Sequence, residues 1–173
     1  IRMRLLSGFF SLFLLIAVSN VAITAPNLNY IDQLAQKGKL GDINKQLPLI
    51  IKQAKAQKDN KTWRDALLLL ANTKLDPSYT ATVETLMGQA WPNDPDSQLL
   101  LNLHLGHYLS RYITANRWTI RERETVKSKA PAPLDKKTMD QLLAEMHQAF
   151  AKAYSLSLKN TKTLKQFTKP SLK

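Results

Sequence analysis

The stretch from Asp94 to Arg123, DPDSQLLLNLHLGHYLSRYITANRWTIRER, decides the class of fold. Asp94 followed by Pro95 is a helix-start signal, because the Asp side chain caps free backbone N–H groups and proline fits the first helical position. Leucine then recurs without the alternation of apolar and polar residues that is typical of a strand. The pattern predicts one long helix over about residues 95–116.

Tyr108, Tyr112 and Asn116 share one face of this helix, because they are spaced four residues apart. Aromatic residues at this spacing usually belong to a core, and asparagine at a helix end tolerates a left-handed turn. Arg117 and Trp118 follow directly and predict a corner pinned against neighbouring helices, with the guanidinium on backbone carbonyls or on an aromatic ring. A buried Trp118 would cost about 3–5 kcal/mol when truncated to Ala, whereas a loss well under about 1 kcal/mol would mark a surface contact for a partner.

Shorter helices are predicted on both sides of the long one, from apolar residues at three-to-four spacing and from capping residues. Their expected positions are residues 28–37, about 42–57 with Pro48 at its start or in a kink, a third helix capped by Asn60 or Thr62, a fourth from Asp76-Pro77 to Trp91-Pro92, and a last one capped by Asp135. The apolar face of the last helix is expected to hold Met139, Leu142, Leu143, Met146, Phe150, Ala153 and Tyr154.

The predicted fold class is all-α, because no alternating run is long enough to indicate a sheet. The short connections imply antiparallel helical hairpins that form a bundle or a short repeat-like stack. The uneven helix lengths do not match the fixed period of a tetratricopeptide array. The expected organisation is helical hairpins over 26–116, a flexible Pro/Lys loop over 117–134, and a C-terminal helix with a basic tail over 135–173 in the same domain.

Residues 1–25 have the order of a secretory signal: Arg2 and Arg4, an apolar run from Leu5 to Val18, then small residues up to Ala25. The alternative is an uncleaved anchor, since residues 5–25 approach the roughly 20 residues that a membrane-spanning helix needs. Both interpretations place the rest of the chain outside the cytoplasm, in the periplasm or cell envelope, and the second adds membrane association.

The charge is strongly positive and unevenly spread. The chain has a formal net charge of +12 and no cysteine, which excludes disulfides and thiolate chemistry. Residues 117–173 hold 13 of the 25 basic residues but 5 of the 13 acidic ones. Such a basic end suits an anionic partner, although export argues against nucleic acid. Because the lysines are spaced out along helices, a solvated face is the favoured interpretation.

Few residues suggest chemistry. His104 and His107 could share a metal, but a third ligand is needed and His147 is the only other histidine, so polar helix positions are the favoured interpretation. Glu122 and Glu124 alternate with arginines and are expected to form local salt bridges. Phosphate-loop, nucleophile-elbow and zinc-protease motifs are absent from the sequence, which holds only five glycines. We therefore predict a protein that is not an enzyme and has no catalytic residue, metal or cofactor.

The run from Leu100 to Arg123 resembles the N-terminal helical region of large bacterial alpha-2-macroglobulin-like proteins. There, a leucine-rich helix ends in a Tyr-x-x-x-Asn-Arg-Trp signature, followed by an arginine, a polar loop and a helix ending near Tyr-x-x-Ser-Leu. The similarity covers roughly residues 95–168 of this chain. The positions that match the motif, for which the resemblance implies structural roles, are Tyr108, Tyr112, Asn116, Arg117, Trp118, Arg123 and Tyr154.

The resemblance implies an exported, non-catalytic module from a family of protease inhibitors. The chain departs from the family, since it has no cysteine for a thioester and none of the β-sandwich domains of the protease trap. It would be the leading helical segment alone, truncated or separately encoded, with the remaining inhibitor domains as its partner. The alternative is a free-standing periplasmic helical-repeat protein that binds an envelope protein or an anionic surface. A membrane-anchored regulator is a third option that depends on the first helix staying uncleaved.

Overall fold

The computed structural model describes residues 27–123 and 132–159. This part of the chain contains seven α-helices and a short 3₁₀ turn, Leu134–Lys136. The helices are α1 Leu28–Gln36, α2 Leu40–Gln57, α3 Asn60–Thr73, α4 Thr80–Met87, α5 Pro95–Ala115, α6 Arg117–Arg121 and α7 Met139–Lys159. No strand occurs within the described ranges, and the all-α class is confirmed. The predicted signal or anchor segment, the stretch 124–131 and the basic tail 160–173 lie outside the described residues.

The long central helix α5 begins where the sequence predicts. The Asp94 carboxylate accepts a hydrogen bond from the backbone N–H of Ser97 at 2.9 Å, and Pro95 occupies the first helical position. Both devices act within one turn of chain, so they do not depend on the rest of the fold.

The similar Asp76-Pro77 signal was misleading, because α4 begins only at Thr80. The Asp76 carboxylate instead accepts bonds from the backbone N–H of Ser78 at 2.7 Å and from its hydroxyl at 2.5 Å. These bonds hold the pKa of Asp76 below its ordinary value. Tyr79 follows in a left-handed conformation with φ of 60°. An Asp side chain that closes a turn on its own backbone competes with helix capping, and here the turn is favoured.

Two further helix starts differ from the prediction. The cap of α3 is Asp59, which accepts from the backbone N–H of Thr62 at 3.0 Å, rather than Asn60 or Thr62. Helix α7 starts at Met139, not after Asp135, which lies in the 3₁₀ turn. Its start is a capping box: the backbone N–H of Thr138 donates to Gln141 Oε1 at 2.9 Å and that of Gln141 to Thr138 Oγ1 at 3.4 Å.

Helix α2 runs through Pro48 without ending there. Proline has no backbone N–H, so it cannot donate to the carbonyl of Asn44 one turn earlier. The Asn44 side chain accepts a hydrogen bond from the hydroxyl of Thr73 at 2.6 Å, which ties this part of α2 to the end of α3. At the other end of the pair, Lys55 Nζ lies 5.3 Å from the ring centroid of Trp63. The two helices therefore run in opposite directions.

Each helix from α1 to α5 packs against the next one along the chain, and the largest interface between two helices joins α5 to α7. The described core is aliphatic with one tyrosine among its largest fully buried side chains, which are Tyr112, Ile31, Ile43, Leu47, Ile50, Leu67, Leu68, Leu86, Leu101, Leu109, Ile120 and Leu142. Helix α5 lies between α3 and α7, so its position links the first helices to the last one.

Close approach of α7 to α5 depends on Gly106. A Cβ atom built at this glycine would lie 2.8–2.9 Å from three atoms of the Phe150 ring, nearer than real Cβ atoms come to their neighbours. The Phe150 ring therefore occupies the space that a side chain at position 106 would fill. A glycine inside a helix usually lowers its stability, and here that cost is offset by packing.

The predicted flexible loop over 117–134 is wrong in its described part. Residues 117–121 form α6, only one residue after α5 ends, and Leu134–Lys136 form the 3₁₀ turn. Within α6, Ile120 buries its side chain in the core, so this short helix packs back onto the rest of the fold. The corner between α5 and α6 is thus an ordered part of the fold.

Candidate interaction site at the corner of α5 and α6

Asn116 joins the two helices of the corner. Its side-chain Nδ2 donates to the carbonyls of Ser78 and Tyr112, both at 2.9 Å. Its backbone has φ of −110°, so the left-handed turn expected at this position does not occur. The amide side chain instead adds a second bond to the Tyr112 carbonyl, which also accepts the backbone N–H of Asn116, and its bond to Ser78 holds the corner against the turn before α4.

Arg123 fixes the far end of the corner. Its guanidinium donates to the carbonyl of Leu134 at 3.2 Å, to that of Lys137 at 2.9 Å, and to the Tyr112 hydroxyl at 3.1 Å. The Tyr112 hydroxyl in turn donates to the Leu134 carbonyl at 3.4 Å. The sequence predicted that the guanidinium of Arg117 would bind backbone carbonyls or an aromatic ring. In the structure it is Arg123 that binds backbone carbonyls, because it lies within reach of the 3₁₀ turn.

Tyr108 and Tyr112 are both buried on the inner face of α5. The Tyr108 hydroxyl donates to the side-chain oxygen of Asn72 on α3, and burial raises the pKa of Tyr108. The His107 ring lies edge-on to the Tyr108 ring, with centroids 5.6 Å apart. These contacts place both tyrosines among the packed interior of α3, α5 and the 3₁₀ turn.

Trp118 lies on the surface, with 77% of its side chain exposed. The expectation of a ring packed into the corner is therefore wrong. Ile120, two positions later, is only 1% exposed, and residues two apart on a helix are turned by roughly 200° about its axis. Because Ile120 occupies the inner side of α6, Trp118 must point outward. Its ring contacts the guanidinium of Arg121, whose Cζ lies 5.6 Å from the ring centroid.

Tyr154, the last residue of the predicted motif, is also exposed, at 67%. Ala149 and Ala153 are buried on α7, so the inner face of that helix passes through small residues beside Tyr154. Placing Tyr154 on the apolar face of the last helix was therefore wrong. Leu158, four residues later, is exposed on the same side of the helix.

A cavity of about 370 Å³ opens beside α6, lined by Ile113, Thr114, Arg117, Arg121 and Met139. Arg117 and Arg121 are four residues apart and lie on one side of α6. Among the residues that the structure describes, neither arginine has a carboxylate within ion-pair distance. The cavity therefore combines apolar side chains from α5 and α7 with two guanidinium groups that have no carboxylate partner within the described ranges.

A second cavity of about 350 Å³ lies between α4, α5 and α7 and is lined by residues that include Met87, Gln98 and Glu145. Its only acidic group already has a partner, because Glu145 accepts two bonds from the buried Lys137 ammonium, at 2.5 and 2.7 Å. This ion pair fixes the start of α7, and the other charged side chain in the lining of the second cavity is Lys152.

The two histidines of α5 contact a backbone carbonyl and an aromatic ring. A ring nitrogen of His104 lies 2.9 Å from the carbonyl of Leu100, and burial lowers the pKa of His104. His107 is exposed on the next turn. Within residues 27–123 and 132–159, no three histidine or acidic side chains converge on a point where a metal could bind.

Sequence reasoning missed Arg121 as a site residue, as well as the cavity that it lines. The signal was present, since Arg121 follows Arg117 at helical spacing and comes three residues after Trp118. Arg121 was overlooked because residues 117–134 were predicted to form a loop, in which helical spacing does not apply. Ile113 and Met139 could not have been added from spacing, since they come from different helices.

No family model matches this chain, and no curated protein or solved structure matches it either. The resemblance to alpha-2-macroglobulin-like proteins thus stays a prediction carried by the motif. None of the described helices combines the length and apolar character required to cross a bilayer.

Proposed function

We propose that this chain is an exported, non-catalytic helical module that binds another protein through the corner of α5 and α6. The observation that carries the proposal is the exposed ring of Trp118 on a helix whose two ends are fixed. A tryptophan ring is large and apolar, and residues of this type dominate the energetics of protein interfaces. A ring held on an ordered element also loses little conformational freedom on binding.

The surroundings of Trp118 support a binding surface rather than a reaction centre. The corner exposes Arg117 and Arg121 beside the ring, and arginine and tryptophan are the residue types most enriched at binding hot spots. The nearest histidines lie on α5, where His104 donates a bond to the Leu100 carbonyl of its own helix and His107 packs on Tyr108. Neither is paired with a nucleophile of the kind that covalent catalysis uses.

Site-specific photo-crosslinking tests the proposal. A photoreactive phenylalanine analogue replaces Trp118 in the full chain, expressed in its native host and exported by its own leader. A second variant carries the analogue at Leu49, which is exposed on α2 far along the chain from the corner. We expect one discrete protein adduct from position 118 and none from position 49. The same adducts from both positions, or no adduct from position 118, would contradict the proposal.

The proposal has two versions, which differ in the partner that the module binds. In the first, as the resemblance implies, it is the leading segment of an alpha-2-macroglobulin-like inhibitor and its partner is the rest of that inhibitor. In the second, it is a free-standing envelope protein with a separate partner. Sequencing the coding region downstream of Lys173 distinguishes them: a frame that continues into β-rich domains supports the first, and an immediate stop codon supports the second.

A further inference from the structure

We propose that the cavity beside α6 receives an acidic segment of the protein partner. Its carboxylates would bind Arg117 and Arg121, while an apolar side chain enters the cavity over Ile113 and Met139. The inference rests on the proposed function, because it names the chemistry of the partner that binds at Trp118.

The charges at the cavity point to a carboxylate-bearing ligand. Arg117 and Arg121 lack an ion-pair partner within the described part of the chain, unlike Arg64, which is paired with Asp65 at 2.7 Å. They also differ from Arg123, whose donors are occupied by carbonyl oxygens. A guanidinium group offers a planar fork of donors that matches a carboxylate in two parallel bonds. Two such forks on one side of α6 suit two acidic side chains of one segment.

The shape of the cavity favours a peptide over a lipid surface. Its volume of about 370 Å³ is concave space that a side chain can enter, whereas a bilayer surface presents headgroups to a broad, convex basic face. The walls are mixed, with Ile113 and Met139 beside the arginine stems. Trp118 stands next to Arg121 and adds an apolar ring at the rim. A segment with both acidic and apolar side chains satisfies all of these groups.

The test measures binding of a defined probe to the full chain by fluorescence anisotropy. The probe is a short fluorescein-labelled peptide in which Leu stands between two Glu residues. We expect the double variant Arg117→Gln/Arg121→Gln to bind it at least about tenfold more weakly, since charge-assisted bonds are lost at the interface. A probe with both Glu replaced by Gln should lose affinity to a similar extent, and one with Leu replaced by Ser should bind several-fold more weakly.

A matched control removes two positive charges elsewhere. Lys45 and Lys52 are exposed on α2 and away from the cavity, so Lys45→Gln/Lys52→Gln should bind the acidic probe like the parent chain. Equal weakening by both double variants would show non-specific charge attraction and overturn the inference. It is also overturned if anionic phosphatidylglycerol vesicles, and not the peptide, bind in a manner that depends on Arg117 and Arg121.

The crosslink at position 118 separates failure of this inference from failure of the proposed function. An adduct that forms equally well in the Arg117→Gln/Arg121→Gln background shows that a protein binds the corner without using the arginines. The function then stands and the acidic segment is wrong. If position 118 crosslinks only to another segment of the same chain, both the proposed function and this inference are overturned. Loss of the adduct in the arginine background, with retention in the lysine control, supports the inference.

Discussion

Trp118 and Ile120 show how position on a helix, rather than residue type, decides burial in this protein. Both side chains are apolar and they are only two residues apart on α6, yet one is exposed and the other enters the core. The smaller side chain is buried because it points toward the interior once α6 follows α5. The larger ring stays in water, where it contacts Arg121. This exposure is what the proposed binding role of Trp118 requires.

Trp118→Ala should change the free energy of unfolding by less than about 1 kcal/mol, because little of the ring is removed from water in the folded state. The comparison is Ile120→Ala, which empties a fully buried site and should cost about 2–5 kcal/mol. Urea unfolding followed by circular dichroism measures both values. A loss of about 3 kcal/mol or more for the Trp118 variant would mean that the ring is packed after all.

His104 should make stability sensitive to acid. Burial lowers the pKa of His104 from its ordinary value of 6.5, so the unfolded chain binds this proton at a higher pH than the folded protein does. The contribution is present in full above the ordinary pKa. It is lost as the pH falls from that value toward the lower pKa of the folded state.

His104→Gln should therefore flatten the dependence of unfolding free energy on pH in the mildly acidic range. His147→Gln, which removes an exposed histidine of α7, is the matched control and should retain the acid sensitivity of the parent chain. Urea titrations at a series of pH values give the comparison. Identical slopes for the parent and for His104→Gln would show that His104 does not carry the effect.

At the scale of the elements, one glycine and one arginine position α7 and the turn before it. Gly106 sets the distance between α5 and α7, and Arg123 ties the end of the α6 corner to the turn before α7. Both contacts join segments that are separate in sequence. Helix α7 therefore depends on long-range contacts for its position, whereas its start depends on the local capping box.

Gly106→Ala should destabilise the protein by about 1–3 kcal/mol, because the new methyl group meets the Phe150 ring inside a packed interface. Gly41→Ala in the first turn of α2 is the control, since no atom lies within 4 Å of a Cβ built there. That variant should leave stability unchanged or raise it by up to about 1 kcal/mol through better helix propensity. Thermal and urea unfolding report both. If Phe150→Leu fails to reduce the penalty in the Gly106→Ala background, the proposed collision is not its cause.

Arg123→Ala should cost about 1.5–3 kcal/mol, because it removes charge-assisted bonds and leaves the carbonyls of Leu134 and Lys137 without this donor. Arg121→Ala is the comparison at the same corner and should have an effect below about 1 kcal/mol, since Arg121 contacts an exposed ring. Equilibrium unfolding measures the difference between the two variants. Similar losses for both would show that the corner does not depend on Arg123.

At the scale of the whole molecule, the described chain is a succession of helices in which each packs mainly against its neighbours in sequence. Helix α5 departs from this pattern, since it also contacts α3 and makes its largest interface with α7, and neither of these is its neighbour in sequence. The corner after Ala115, where α6 follows α5 after one residue, lies at the surface, since Arg117 and Trp118 are exposed. The fold thus presents α6 to the solvent while its inner side stays in the core.

The far-ultraviolet circular dichroism spectrum of the full chain should be dominated by helix, because most described residues lie in α-helices. The expected features are paired minima near 208 and 222 nm, roughly as for other all-α proteins. The measurement also tests the fold class without reference to any single contact. A spectrum with a single minimum typical of sheet would contradict the architecture.

Some of the site was predictable from the chain and some was not. Asn116 was recognised from spacing and residue type and Arg123 from the family resemblance, and both make bonds that hold the corner. The exposure of Trp118 and Tyr154 was not recognised, because apolar residues were assumed to point inward. Residue type gives a tendency to be buried, but the direction of a side chain depends on how its helix is rotated against the core.

By itself, the sequence determined what acts within one or two helical turns: the all-α class, the start of α5 at Asp94 and Pro95, and its end at Asn116. Capping bonds and apolar spacing are local, so they can be recognised without knowing how the rest of the chain folds. Only the tertiary structure decided that Trp118 faces the solvent and that Arg117 and Arg121 share a cavity with Met139. These outcomes depend on contacts between segments far apart in sequence, whose geometry no local pattern specifies.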